Sequence, residues 1–384
     1  MIPTYDVIVA GAGPAGTAAA RACAEAGLST LCLEEHGTIG YPVQCAGLLS
    51  TTAFEECRIS RRCILHSVSG ARVRSSLGSE VLIDAGVTKA HVVDRGILDL
   101  EMAEAAADAG ADFRTKTAVC GLGDRTVQTR GVHGHGEYRY SLLIAADGPK
   151  SLIARQRDME RAAVYLSGIQ ADVPYEMDGK VVELYPDASP EFFGWAIPIG
   201  QEKARIGLCG LSNVKERFLT FQEIFGGSCI HFVTGTLPLG VMPRTFGDRT
   251  LYVGDAAGFA KPTSGGGVYT GVRSARHAAA TAIECAEKGS FSDANLSAYE
   301  RRWKADIGRE LATGMKLWHL RQRMTPEDIE ALVRALNDPG VLQLIREYGD
   351  MDRPSALVKR LCMKPTVFRL LGIILRSGVR GVGK

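Results

Sequence analysis

No uninterrupted apolar run in this chain reaches the roughly 18 residues that a membrane-spanning helix requires. The first strand-like segment begins by about Tyr5, which leaves no room for a signal peptide ahead of it. Charge of one sign is also scarce: 45 Lys and Arg stand against 43 Asp and Glu, a net of +2. That balance argues against bulk nucleic-acid binding, which draws on a strongly basic face. Ten cysteines are present, yet none forms a CxxC pair and none has a histidine at ligand spacing. Neither a zinc nor an iron–sulfur site is visible, so no metal is expected. Scattered thiols, with Cys23 and Cys32 in apolar runs, fit a reducing cytoplasm. Internal repeats and low-complexity tracts are missing as well. With 46% hydrophobic and 23% charged residues over 384 positions, the chain reads as a globular protein of two domains, or of one large domain with a helical appendage.

Glycine is plentiful and its placement is informative. Tyr5 to Ala10 reads as a buried strand, Gly11-x-Gly13-x-x-Gly16 follows at once, and Thr17 to Ala26 is an alanine-rich helical run. In such a strand–turn–helix unit Gly11 permits the tight turn and Gly13 lets the backbone approach a pyrophosphate. Gly16, next to Ala15, lets helix and strand pack closely, and the helix N-terminus offers unpaired N–H groups to the anion. A second strand, Ser29 to Leu33, ends in Glu34, about 18 residues after Gly16. That is close to the spacing at which a carboxylate accepts hydrogen bonds from an adenosine ribose. Far downstream, Gly254-Asp255-Ala256-Ala257-Gly258 follows the short strand Leu251 to Val253, with Pro262 and Gly265-Gly266-Gly267 beyond it. Two such loops in one chain suggest a long cofactor held at both ends.

Between the loops, Asp94-Arg95 opens a helix from Gly96 to Gly110, and Tyr140 to Ala146 is a buried strand ending in Asp147-Gly148. Residues 160–240 are rich in β-branched and aromatic residues with Gly and Pro turns, as for an antiparallel sheet. A helix is expected from Gly266 to Lys288, and the chain after Ser292 reads as mostly helical. The expected class is α/β: a discontinuous Rossmann-type domain from 1–155 and 241–290, an antiparallel-sheet substrate domain at 156–240, and a C-terminal helical region at 291–384.

Gly11-x-Gly13-x-x-Gly16, Asp94-Arg95, Asp147-Gly148 with Ser151 and Arg155, and Gly254-Asp255-Ala256-Ala257 occur together and in order. This combination resembles the FAD-dependent superfamily that includes p-hydroxybenzoate hydroxylase, over about the first 290 residues. The resemblance implies FAD, with adenosine near the first loop and Glu34 and a backbone contact from Val119. It also implies pyrophosphate near Arg95, the ribityl chain on Asp255, and the flavin over Gly267 and Val268. A helix starting at Gly266 or Gly267 would turn its positive end toward the flavin pyrimidine, where reduction accumulates negative charge.

Two further motifs narrow the likeness. Pro42-Val43-Gln44-Cys45-Ala46-Gly47 resembles the P-x-x-C-x-x-G stretch beside the isoalloxazine in geranylgeranyl reductases, including the archaeal digeranylgeranylglycerophospholipid reductases. Phe193-Gly194-Trp195-Ala196-Ile197-Pro198 resembles their substrate-cavity motif Y-x-W-x-F-P. Phe193 and Ile197 replace a tyrosine and a phenylalanine, and Gly47 comes one residue earlier than in many relatives. The implied activity is reduction of carbon–carbon double bonds in geranylgeranyl chains of an archaeal-type glycerophospholipid. Phe193, Trp195 and Pro198 would contact the substrate, and Cys45, Ala46 and Gly47 would lie at the flavin.

An isolated trisubstituted alkene has no carbonyl to polarise, so hydride from a reduced flavin must be matched by a proton on the other carbon. Trp195 suits a wall that stabilises developing positive charge. Cys45 has three roles open to it: proton donor, redox partner of the flavin, or a small residue packed against the ring. For the electron donor, a ferredoxin, a reduced deazaflavin and NAD(P)H all stand open. From Arg353 to Lys384 there is no acid, and Val367, Leu370, Leu371 and Ile374 share one helical face while Arg369, Arg376 and Arg380 share another. This is the pattern of a basic amphipathic helix, on a membrane surface or docked on its own domain, so the expected location is cytoplasmic with peripheral membrane contact. Competing readings are a flavin-dependent halogenase, whose W-x-W-x-I-P motif the 193–198 segment also resembles and whose required lysine would be Lys89; an aromatic hydroxylase; and an FAD electron carrier at a membrane.

Overall fold

The computed structural model describes residues 1–132 and 134–364; the basic pattern at Val367 to Arg380 lies outside them. Five strands form the parallel heart of the first sheet, in the spatial order Thr250–Tyr252, Gly134–Ala145, Thr4–Ala10, Thr30–Leu33 and Asp112–Arg114. Val7, Ile8, Val9, Leu142, Leu143 and Ile144 are completely buried. Continuous apolar runs are what a parallel sheet covered on both faces demands. Helices Pro14–Glu25, Arg95–Asp108 and Val268–Glu287 pack together through small residues, among them Ala19, Ala20, Ala275 and Ala278. Strands Thr117–Leu122 and Thr126–Gly131 continue antiparallel from the outer half of Gly134–Ala145.

Gly16 shows how tightly the first turn is built. A Cβ there would stand 1.9 Å from the Gly11 carbonyl oxygen and 3.3 Å from Ala146 Cβ. Gly16→Ala is therefore expected to cost about 1–3 kcal/mol of stability through overpacking, read as a lower urea midpoint. An unchanged midpoint would show slack that these distances do not contain.

The second sheet has seven strands in the order His231–Leu239, Val164–Pro174, Lys203–Gly210, Gly194–Gly200, Val181–Tyr185, Gly70–Arg74 and Glu80–Asp84. Its last two strands come from within residues 1–155, which the sequence places in the Rossmann-type domain. Gly70–Arg74 runs parallel to Val181–Tyr185, with Val181 opposite Gly70 and Leu184 opposite Val73. It satisfies a sheet edge that would otherwise present unpaired N–H and C=O groups. A third sheet of three short strands, Leu48–Ser50, Ala90–Val93 and Ile64–Val68, bridges the two.

The C-terminal helices close over this second sheet. Helix Pro326–Leu336 opens on a capping box of Thr325 and Asp328 with Pro326 in its first turn. It buries Ile329 and Val333 against Val73 and Val81, while Glu330 accepts from Ser75 and, at 2.5 Å, from Ser79 Oγ. Between helices Asp293–Trp303 and Arg309–Arg321 a π-helical turn, Lys304–Gly308, carries Asp306. Asp306 pairs with Arg273 at 2.6 Å, His277 at 2.9 Å and Arg353 at 2.9 Å. Arg353 also donates to the Tyr269 hydroxyl at 3.1 Å, which fixes the segment around residue 352 against the start of helix Val268–Glu287.

Candidate active site

One cavity of about 2090 Å³ runs from the first glycine loop, past Asp255 and Gly267, to Cys45 and the aromatic residues of the second sheet. A drug-sized pocket occupies about 300–1,000 Å³, so this space suits a long cofactor and a second elongated molecule together.

At the near end, Gly11 has φ +101, and a Cβ on it would meet the Ala146 carbonyl oxygen at 2.3 Å. Gly13 differs from it. Its backbone is ordinary, φ −70 and ψ 178, and a Cβ there would meet no protein atom within 4 Å. The room above Gly13 is open cavity, at the N-terminus of a helix that has no side-chain cap. Free N–H groups facing an open space suit a pyrophosphate. Ala15, Gly16 and Val119 line the same end of the cavity.

Glu34 is nearly buried and already engaged by the protein: Ala12 N–H donates to Oε2 at 2.8 Å, and His36 N–H donates to Oε1 at 2.8 Å. The His36 ring also sits 2.7 Å from Oε1. Of the four lone-pair positions of a carboxylate, these three contacts leave one free. Arg95 is held in a two-pronged pair with Asp99, both contacts at 2.9 Å. Burial works against its charge, but Asp99 and the nearby Cys45 hold the guanidinium above its ordinary range. Burial likewise pushes the Asp147 carboxyl up, opposed by Ser151 and the N–H of Ile153, and its buried Oδ1 has no partner among the described residues.

The second loop leaves Thr250–Tyr252 through Gly254, φ +56, and Gly258, φ +77. Asp255 faces the cavity, and burial pushes its carboxyl up to about 6, with Arg95 drawing it back down. A carboxyl in this state gains from a hydroxyl donor. Helix Val268–Glu287 begins after Gly267, shorter by a few residues than the expected 266–288 span, and its N-terminus has no side-chain cap. A Cβ on Gly267 would lie 3.0 Å from Asp255 Oδ1. Open room at Gly13, cavity-facing Asp255 and the uncapped helix at Gly267 together fit the long dinucleotide that the sequence implies.

On the opposite wall, Cys45 lies in a loop pinned by the second sheet. Gln170 Nε2 donates to the Cys45 carbonyl at 3.2 Å, Arg205 Nη1 donates to the Ala46 carbonyl at 3.4 Å, and Gly47 N–H points at Cys45 Sγ, 3.4 Å away. Strand Gly194–Gly200 directs Trp195 and Ile197 into the cavity, beside Phe192 and Phe193. The Phe192 and Phe193 rings stack at 4.4 Å, and Phe193 meets Trp195 edge-on at 6.2 Å. Trp195 lies over Gly207, where a Cβ would stand 2.4 Å from its Cζ2. From the helical region, Trp318 completes the wall, its Nε1 donating to the Glu191 carbonyl at 2.9 Å.

Two residues of the expected site stand off the cavity wall. Pro198 is buried in the same strand, but side chains alternate between faces, and it shares the Ala196 side, which packs with Phe218 and Phe221. Gly47, φ +80, shapes the turn, since a Cβ there would meet the Val93 carbonyl oxygen at 2.5 Å. Absent from the sequence reading are Gln170, Arg205, Gly207, Trp318 and Lys261. The last is buried in the cavity wall and paired with Asp352. Among the described residues, no cluster of three or more His, Cys, Asp or Glu could hold a metal, and no helix is long and apolar enough to cross a membrane.

Comparison with known proteins identifies the family and the fold. The model of the FAD binding domain family matches residues 4–220. Digeranylgeranylglycerophospholipid reductase 2 of Methanothermobacter thermautotrophicus is 33% identical over 377 residues, covering 91% of this chain and 98% of the relative. A solved geranylgeranyl bacteriochlorophyll reductase-like protein of Thermoplasma acidophilum superimposes with a TM-score of 0.87 at 25% identity, covering 97% of this chain and 100% of the other. A flavin-dependent brominase shares the fold alone, with a TM-score of 0.67, 16% identity and 99% coverage of each chain.

Proposed function

The chain belongs to the digeranylgeranylglycerophospholipid reductase family within the FAD-binding proteins, and from that premise we propose how its residues saturate geranylgeranyl chains, with an archaeal-type glycerophospholipid as substrate. It is an FAD-dependent oxidoreductase acting on carbon–carbon double bonds of geranylgeranyl lipids. Halogenases are only distant neighbours of its fold. The observation that carries the substrate reading is the single cavity that joins both glycine loops to an aromatic wall.

When bound and reduced, FAD supplies hydride equivalents. The protein supplies position and surroundings. The Gly11–Gly16 loop and the free N–H groups of helix Pro14–Glu25 would hold the anion, Glu34 would orient the ribose, and Asp255 would accept from a ribityl hydroxyl. Phe192, Phe193, Trp195 and Trp318 exclude water from the prenyl chain, and the Trp195 face stabilises positive charge developing on carbon. Cys45 Sγ, fixed through Gln170, Arg205 and the Gly47 N–H, holds the proton for the second carbon. Each CH₂ of a prenyl lipid gains about 0.8 kcal/mol on leaving water, so the substrate is drawn from a bilayer and the enzyme works at its surface.

The test is direct. Protein reduced with dithionite under anaerobic conditions and given a geranylgeranylated glycerophospholipid should yield lipids heavier by one hydrogen molecule per saturated bond, read by mass spectrometry. Unchanged lipid beside fully reduced flavin would overturn the reading.

A further inference from the structure

The wall of the cavity holds an ion pair that the reaction outlined above does not use. Lys261 belongs to the loop that leads into helix Val268–Glu287: its backbone N–H donates to the Gly266 carbonyl at 3.2 Å, and Gly265 N–H donates to its own carbonyl at 2.8 Å. The side chain folds back over that loop. A Cβ on Gly266 would lie 3.0 Å from Lys261 Cε and 3.3 Å from Nζ. Its ammonium donates to Asp352 Oδ1 and, at 3.1 Å, to the Met351 carbonyl. Asp352 accepts in turn from Ser50, and its side chain is 1% exposed against 9% for Lys261. The partners come from distant parts of the chain, and Arg353, tied to Tyr269 and Asp306, anchors the acidic member.

Successive glycines at the head of this helix thus have opposite charges beside them, Lys261 at Gly266 and Asp255 at Gly267. The helix adds its own partial positive charge in the same place. Charges at such a position act at short range through poorly screened surroundings. We propose that the Lys261–Asp352 pair sets the reduction potential of the bound flavin: Lys261 favours the reduced, more negative form, and Asp352 limits how far. The inference rests on the flavin lying over Gly267 and Val268. It concerns the cofactor alone, so its test needs no lipid.

The two partners make opposite predictions, which a purely structural pair would not. Lys261→Met leaves Asp352 buried and uncompensated, and should shift the equilibrium between the bound flavin and a reference redox dye at least tenfold toward oxidised flavin, about 30 mV for a two-electron couple. Asp352→Asn frees the Lys261 charge and should shift it at least tenfold the other way. Lys261→Arg, which keeps the charge, should stay near the parent value, and the double variant Lys261→Met with Asp352→Asn, which removes both charges, should fall between the two single variants. Shifts of the same sign in the two single variants, or no shift in either, would overturn the proposal. So would loss of bound flavin from Lys261→Arg and Asp352→Asn, which would assign the pair to holding the cofactor. A parent protein that binds FAD but leaves geranylgeranyl lipids unchanged would defeat the substrate reading and leave this measurement intact.

Discussion

Gly13→Asp is expected to give a folded protein that no longer holds FAD. Three features of the position lead there. Its backbone lies where any L-residue is at ease, φ −70 and ψ 178, and a Cβ meets nothing within 4 Å. It is also the N-cap of helix Pro14–Glu25, where aspartate is among the preferred residues because its carboxylate accepts from the first free N–H groups. The variant should therefore match or exceed the parent in stability without cofactor. Those same N–H groups are the ones offered to the pyrophosphate, and a carboxylate among them both occupies them and repels the ligand. Affinity for FAD should fall at least a hundredfold, about 2.7 kcal/mol, measured by titrating FAD into the stripped protein while urea unfolding monitors the fold. Gly16→Ala should do the reverse, weakening the fold through a contact inside the protein. A Gly13→Asp variant that kept its flavin would mean that the open room above this glycine is not the pyrophosphate site.

The contrast between these glycines marks what was legible in the sequence. Gly11, Gly13 and Gly16 follow a pattern set by local geometry, and their spacing after an apolar strand reveals their separate uses. Strand Gly70–Arg74 was legible as a short strand but not as to its partner, for a complementary reason. Its short half-buried alternation says that it pairs, but the partner lies more than a hundred residues away, and only the unmet edge of Val181–Tyr185 decides. Lys261 was missed in the same way. Beside Pro262 it reads as one more loop lysine, and nothing nearby announces that Asp352 will be brought to it by Arg353, Tyr269 and Asp306. Pro198 shows the limit of a motif: resemblance placed it with Trp195, whereas strand alternation turns it to the other face. A signal for that correction was present in the sequence, since residues three apart on a strand cannot share a side.

Binding of FAD should weaken as the pH falls below about 6, and Asp255 should be the cause. In the flavin-free protein burial pushes this carboxyl up to about 6, with Arg95 opposing. A group whose folded value lies above its unfolded one favours the fold at low pH, and that contribution is lost as pH rises through about 6. Without the cofactor, then, the ionised carboxylate is a burden at neutral pH. A ribityl hydroxyl donating to it relieves that burden and returns the carboxyl toward its ordinary range. Binding consequently releases a proton, and affinity declines by up to tenfold per pH unit below about 6, about a hundredfold by pH 4. Asp255→Asn accepts the same hydroxyl without titrating, so it should bind FAD more weakly at neutral pH yet with an affinity that stays level between pH 4 and 7. Fluorescence titration of FAD across that range separates the two curves. A parent protein with a level profile would show that the Asp255 carboxyl does not meet the cofactor, and would move the ribityl chain away from the Gly254–Gly258 turn.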